Sequence, residues 1–224
     1  STTFSSRPNM PTIEQTAEKI EIIHDEVIVA GTGAVGLGQR FLEIVTDGWT
    51  KGIALDTSKP PKPLPQLDKA SGMAKLLSRA MISDMALTHM QVGQYGALVA
   101  FPHKRTFHLY EFGLQDFQPE AKEKLWYVSM GCTQQITDSF LALMRELFWK
   151  DSAPNLNEGM LSAVWTLEHA INVNTGGVNW PIRMAVLKDG GEGRPAAEML
   201  SDADLQEHQE FIQQMRSKIG DLMP

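Results

Sequence analysis

Residues 26–41 decide the fold of this chain, and they read Glu26-Val-Ile-Val-Ala-Gly-Thr-Gly-Ala-Val-Gly-Leu-Gly-Gln-Arg-Phe41. The apolar run ends in the spacing Gly31-x-Gly33-x-x-Gly36, which is the fingerprint of a dinucleotide-binding turn. In such a turn the glycines allow a tight bend, and the following helix offers its N-terminal amides to a pyrophosphate. Asp56 closes a second apolar run about twenty residues further on, where a ribose-binding acid is expected. Taken alone, the stretch predicts a Rossmann-type protein that binds a nicotinamide or flavin dinucleotide.

The flanking pattern favours a different fold. Residues 19–23 and 26–30 read as two strands that turn at His24-Asp25, which predicts a β-hairpin. Apolar periodicity predicts helices over residues 38–49, 66–90, 133–149 and 157–172. The capping box Ser201-x-x-Asp204 predicts the start of a last helix. Further strands are predicted over residues 96–101, 106–112, 125–130 and 182–187. Residues 58–65, with four prolines, and residues 193–197 are predicted to be loops.

The order of these elements argues against a doubly wound sheet, in which strands and helices alternate more strictly. Strands come first, followed by two helices, more strands, two helices, one strand and a closing helix. This order predicts an α+β protein in which two antiparallel sheets are stacked between helical layers.

Four motifs share a characteristic order and spacing. They are Lys19-Ile-Glu-Ile-Ile23 with the return Val27-Ile-Val-Ala-Gly31, then Trp126-Tyr-Val-Ser-Met-Gly-Cys-Thr133, then Trp165-x-x-Glu-His-Ala-Ile171 with Thr175-Gly-Gly177, and finally Pro181-Ile-Arg-Met-Ala-Val-Leu187. Together they resemble proteasome beta-type or HslV-type subunits, which are N-terminal-nucleophile (Ntn) hydrolases. The resemblance covers most of the chain from Glu18 onward. It implies one proteasome-like domain over residues 1–224, folded as a four-layer α-β-β-α sandwich.

The resemblance also implies a threonine-type peptidase. In this family the first mature residue is the nucleophile, and its free amine helps to accept the hydroxyl proton. Lys19 matches the lysine whose positive charge lowers the pKa of that nucleophile, and Gly31 matches the glycine in the floor of the substrate site. Thr2, or Ser1 before it, is the candidate nucleophile. Cys132 replaces a family serine and is assigned to substrate binding, although a free cysteine is usually a small buried residue.

Two departures from the family leave the activity open. The family places a hairpin carrying the nucleophile and an aspartate before the lysine, whereas residues 1–18 contain no aspartate. Asn172 stands where the family has an aspartate, and Thr175, a further catalytic candidate, stands where it has a serine. Three functions therefore remain: a ring-forming peptidase, a catalytically inert structural member of such a ring, and a dinucleotide-binding protein.

The composition of the chain bears on which partners and which cellular compartment to expect. The net charge of −7 and the lack of a lysine/arginine cluster argue against nucleic acid, and no apolar run approaches the length of roughly 20 residues that spans a bilayer. The six histidines show no metal-ligand spacing, so we expect no metal, and the favoured family implies no cofactor. Cys132 is the only cysteine, which fits a reducing cytoplasm. The resemblance implies self-association into rings, with peptides or unfolded proteins as substrates.

Overall fold

The computed structural model describes residues 2–5, 13–16, 18–50, 69–87, 95–149, 152–173, 177–191 and 193–222. The strands are β1 (Thr2–Ser5), β2 (Ile13–Thr16), β3 (Ile20–Ile23), β4 (Val27–Gly33), β5 (Tyr95–His103), β6 (Thr106–Phe112), β7 (Pro119–Ala121), β8 (Ala185–Asp189) and β9 (Pro195–Met199). The helices are α1 (Val35–Thr50), α2 (Ala70–Leu87), α3 (Gln134–Met144), α4 (Leu156–Val173) and α5 (Asp202–Asp221). This mixture of helices with antiparallel sheets confirms the predicted α+β class.

The chain forms two compact units. The first, here called the sheet unit, comprises residues 19–125 and 185–198. The second, here called the helical unit, comprises residues 1–18, 126–184 and 199–224.

The sheet unit contains a five-stranded antiparallel sheet in the order β3-β4-β5-β6-β7. Its first two strands form the predicted hairpin. The amide of Glu26 donates to the carbonyl of Ile23 at 3.0 Å, and the two residues between them have positive φ, 51° at His24 and 56° at Asp25. Two central residues in the left-handed region are typical of a type I′ turn, whose twist matches that of the strands. The hairpin prediction is confirmed.

Helices α1 and α2 cover the sheet and supply its core. In α1 the side chains of Leu37, Phe41 and Val45 recur every four residues and are fully buried. Phe41 lies at the centre of an aromatic cluster, with ring centroids 5.0 Å from Phe117 and 5.3 Å from Phe112. Burying a large apolar side chain of this kind contributes about 1.5–3 kcal/mol. Met81 and Met85 of α2 are also buried in this core, and Met73 packs against it partly buried.

In the helical unit, α3, α4 and α5 share one apolar cluster that includes Val164, Trp165, Leu205 and Ile212. Helix α3 continues into a π-helical turn, Arg145–Trp149. Polar contacts add to the packing. The ring of His169 on α4 stacks on Phe140 of α3 with centroids 4.6 Å apart, and the buried carboxylate of Glu168 pairs with Arg216 of α5 at 3.1 Å.

The start of α5 confirms a second local prediction. The amide of Asp204 donates to the Ser201 hydroxyl at 3.3 Å, and the Asp204 carboxylate accepts the Ser201 amide at 2.7 Å. These reciprocal bonds form the capping box that the spacing predicts.

Some predicted boundaries are wrong. The strand predicted over residues 125–130 is absent, since residues 126–130 belong to none of the sheets among the described residues. The strand predicted from Ile182 begins only at Ala185, because Ile182 and Met184 are buried among the helices and the Met184 carbonyl accepts the Leu200 amide at 2.9 Å. Residues 195–199 form β9 where a loop was predicted over residues 193–197. The proline-rich residues 58–65 lie outside the described residues.

Candidate functional site

The structure brings Lys19 and Gly31 together at the open end of the β3–β4 hairpin. The Gly31 amide donates to the Lys19 carbonyl at 3.0 Å, one step beyond the register pair Ile20↔Ala30. Lys19 is half-buried and immediately precedes β3. We refer to Lys19, β3 and β4 as the lysine hairpin. Its lysine and its glycine are held opposite each other by the backbone ladder, which fixes their relative positions.

There is no room for a side chain at Gly31, because an aromatic ring occupies the space beside it. A Cβ atom at Gly31 would lie 2.8 Å from Cε2 of Tyr95 and 2.9 Å from its Cζ. A Cβ atom at Gly38, in α1, would lie 3.1 Å from the same Cε2 atom. Burial raises the pKa of the Tyr95 hydroxyl well above its ordinary value. Tyr95, which sequence analysis missed, therefore explains two of the glycines in the decisive stretch by packing.

The same residues do not form a dinucleotide-binding turn. Gly31 and Gly33 belong to β4, where they pair antiparallel with Ala97 and Tyr95 of β5. A Rossmann turn requires neighbouring parallel strands, and each strand pair with a defined register among the described residues is antiparallel. The expectation of that fold is wrong, and Asp56 lies outside the described residues.

In the helical unit, a tight turn precedes α3. Gly131 has φ of 111°, a conformation that favours glycine, and its carbonyl accepts the Gln134 amide at 3.2 Å. Cys132 is exposed, which corrects the expectation of a buried cysteine. A Cβ atom at Gly177 would lie 2.6 Å from the Cys132 Sγ atom. Residues 131–133, here called the cysteine turn, therefore meet the glycine exit of α4, so two motifs that are distant in sequence touch.

A hydroxyl–carboxylate network adjoins the cysteine turn. The Ser129 hydroxyl donates to the Asp138 carboxylate at 2.5 Å, and the Thr137 hydroxyl lies 2.8 Å from the Ser129 oxygen. Sequence analysis missed this network. Its members lie eight and nine residues apart on an irregular segment and a helix, so neither helical nor strand periodicity relates them.

The remaining candidates stay predictions. Thr175 lies outside the described residues. Thr2 lies in β1 opposite Thr16 of β2, and the structure describes its strand pairing alone. Asn172 is exposed in the last turn of α4.

The described part of the chain offers no cluster of three or more histidine, cysteine, aspartate or glutamate side chains that could hold a metal ion. In the same residues, no helix combines the length and apolarity needed to cross a bilayer.

Comparison with known proteins adds no closer assignment. The chain matches no protein-family model, and no curated protein matches it at a significant level. The resemblance to Ntn hydrolases therefore remains a prediction from the four sequence motifs.

Proposed function

We propose that this protein is a proteasome-like subunit of the Ntn-hydrolase type, which assembles into rings and hydrolyses peptide bonds when a nucleophile stands at its mature N-terminus. The four-layer α-β-β-α sandwich is part of this proposal. It is supported by the sheet unit, in which α1 and α2 pack on one antiparallel sheet, and by the separate helical packing of α3, α4 and α5.

One observation carries the proposal. The resemblance assigns the cysteine turn and the glycine exit of α4 to the same site, and these motifs lie more than forty residues apart in sequence. The two motifs nevertheless pack so closely that a Cβ atom at Gly177 would lie only 2.6 Å from the Cys132 Sγ atom. A chance resemblance between short motifs gives no reason for them to touch. The backbone bond between Lys19 and Gly31 supports the same proposal in the sheet unit.

Each residue has a chemical role in the proposed reaction. The Lys19 ammonium lowers the pKa of the terminal hydroxyl, so that more of it attacks as an alkoxide. The backbone at Gly31 lines the floor of the substrate site, where an amide can stabilise a developing oxyanion. Cys132 contacts the substrate, and the Thr175 and Thr2 hydroxyls are the remaining candidate groups.

Labelling with a peptide epoxyketone, read by intact-protein and peptide mass spectrometry, tests the nucleophile. The native protein, with whichever first residue its maturation leaves, should form a covalent adduct at that residue. Lys19→Ala should slow labelling by about 10²-fold or more, because positioned acid–base groups contribute factors of this size. Lys75→Ala, which removes an exposed lysine from α2, is the matched control and should label at the wild-type rate. Wild-type labelling of Lys19→Ala would contradict the proposed role of this lysine.

An inert structural subunit is the alternative. It is favoured by Asn172, which cannot supply the negative charge of the family aspartate and is exposed at the end of α4. Native mass spectrometry separates the two forms of the proposal. Rings without an epoxyketone adduct indicate a structural subunit, and rings with an adduct indicate a peptidase. A protein that stays monomeric and unlabelled at high concentration would refute both.

A further inference from the structure

The segment of residues 126–130 lies along α3, and none of the described residues pairs with it in a sheet. Three side-chain contacts attach it to the helix and the π-helical turn. The Arg145 guanidinium lies 5.0 Å from the centroid of the Trp126 ring, the Tyr127 and Trp149 rings are 6.0 Å apart, and Ser129 binds Asp138. Within the described part of the chain, these side-chain contacts hold the segment beside α3.

Among these contacts, only the Ser129–Asp138 bond lies next to the cysteine turn. A carboxylate accepts hydrogen bonds and donates none, so the direction of the chain is fixed: Thr137 donates to Ser129, and Ser129 donates to Asp138. A hydroxyl bound to an ionised carboxylate forms one of the stronger hydrogen bonds in proteins, and Thr137 is buried, which limits competition from water. The three side chains therefore form one hydrogen-bonded network.

This network holds the cysteine turn from both sides. Ser129 lies two residues before Gly131, and Thr137 lies four residues after Thr133. The Thr133 carbonyl accepts the amide of Thr137 at 3.0 Å. The Thr137 hydroxyl, whose single proton is directed to the Ser129 oxygen at 2.8 Å, also lies 3.1 Å from this carbonyl. Within the described residues, the Thr133 side chain makes no capping bond of its own at the start of α3. The turn thus depends on the network for side-chain support.

We propose that Asp138, acting through Ser129 and Thr137, positions the cysteine turn and so holds the Cys132 thiol against Gly177. Asp138 is a positioning residue, since it acts through other groups. Its importance for substrate binding rests on the function proposed above, whereas its effect on the thiol is independent of that function. Loss of Asp138 frees the turn and releases Sγ from its contact with Gly177, so that the already exposed thiol can take up the orientations that alkylation requires.

The rate of Cys132 alkylation by iodoacetamide in the folded protein tests the proposal, because Cys132 is the only cysteine. Asp138→Ala should raise this rate about tenfold, a change of the size expected when a hydrogen bond to a charged group is lost. Ser129→Ala should raise it similarly, and the double variant should match either single variant, because both substitutions break one network. Ser139→Ala is the matched control. It removes a hydroxyl that bonds the Gln135 carbonyl on the exposed side of α3, and it should leave the rate unchanged.

Conservative variants separate positioning from general stability. Thr137→Ser keeps the donor and should retain the wild-type alkylation rate, whereas Thr137→Val, of similar shape, should raise it. Asp138→Asn keeps an acceptor oxygen and should give an intermediate rate, and it replaces Asp138→Ala if that variant fails to fold. If Asp138→Asn and Thr137→Val fold, melt at lower temperature and still alkylate at the wild-type rate, the network merely stabilises α3 and the proposal is wrong.

The epoxyketone experiment distinguishes this proposal from the proposed function. A faster-alkylating Asp138→Ala in a protein that forms no adduct would support positioning and contradict the peptidase. An adduct with an unchanged alkylation rate would support the peptidase and overturn positioning. If both hold, peptide hydrolysis by Asp138→Ala should show a raised KM with kcat largely kept, because Cys132 is assigned to substrate binding.

Discussion

The lysine hairpin and the cysteine turn, each described within its own unit, are two candidate functional regions built by different interactions. In the lysine hairpin, a backbone ladder places Lys19 opposite Gly31, and a type I′ turn at His24-Asp25 sets the register. At the cysteine turn, side-chain contacts position the chain, because residues 126–130 are bound to α3 through Ser129 and its neighbours. The backbone pairing of a hairpin follows from local sequence, whereas the side-chain contacts that hold the cysteine turn depend on partners that folding brings together.

The first prediction tests whether packing, and not ligand binding, requires glycine in the lysine hairpin. Gly31→Ala places a Cβ atom 2.8 Å from Tyr95 Cε2, so we expect the free energy of unfolding to fall by about 1–3 kcal/mol. Gly36→Ala is the matched control from the same glycine pattern. Its Cβ would meet nothing within 4 Å, and it should be neutral or stabilising by up to about 1 kcal/mol. Urea titrations of both variants measure the difference, and equal stabilities would refute the packing explanation.

The second prediction applies the same test to the cysteine turn. Gly177→Ala combines a φ of 92° with a contact to Cys132 Sγ, so it should cost about 1–2 kcal/mol. Cys132→Ala alone should be nearly neutral, within about 0.5 kcal/mol, because the thiol is exposed. In the double variant the steric part of the cost should disappear and the conformational part should remain. If the changes in unfolding free energy of the two single variants simply add up in the double variant, Gly177 and Cys132 do not touch in solution.

The third prediction concerns alkaline pH and the sheet unit. Burial raises the Tyr95 pKa above its ordinary value of 10.0, so the folded state keeps this proton where the unfolded state loses it. The stabilising effect is fully present below pH 10 and is lost as the pH rises towards the folded-state pKa. The slope is about 1.4 kcal/mol for each pH unit above 10, the value for one proton.

Guanidinium titrations between pH 8 and pH 11 measure this slope. Tyr95→Phe should flatten it, since the ring remains and the ionisable hydroxyl is gone. An unchanged slope in Tyr95→Phe would mean that the hydroxyl is already accessible to water in the folded protein.

The fourth prediction, with the smallest expected effect, tests a local interaction in the helical unit. The capping box of α5 lies in the helical unit, yet its spacing alone predicts it. Ser201→Ala removes the oxygen that accepts the Asp204 amide and should cost about 1 kcal/mol by thermal or urea unfolding. Ser201→Thr keeps that oxygen and should retain most of the stability. A neutral Ser201→Ala would show that the start of α5 frays in solution.

Sequence analysis predicted elements whose determinants are close in the chain. The hairpin at His24-Asp25, the buried stripe of α1 and the capping box at Ser201 each depend on residues a few positions apart. It was wrong over residues 125–130, whose composition is typical of a strand, because contacts with α3 outweigh β propensity there. It missed Tyr95 and Asp138, because neither carries a local signal of the partner that it meets.

By itself the sequence determined the α+β class, the lysine hairpin and the residues that form the cysteine turn. Periodicity and turn chemistry act over a few residues and are therefore readable in one dimension. The tertiary structure alone decided that Gly31 faces Tyr95, that Cys132 meets Gly177, and that Asp138 holds Ser129. These contacts join residues far apart in sequence or on different kinds of backbone, and only close packing of the folded chain selects them.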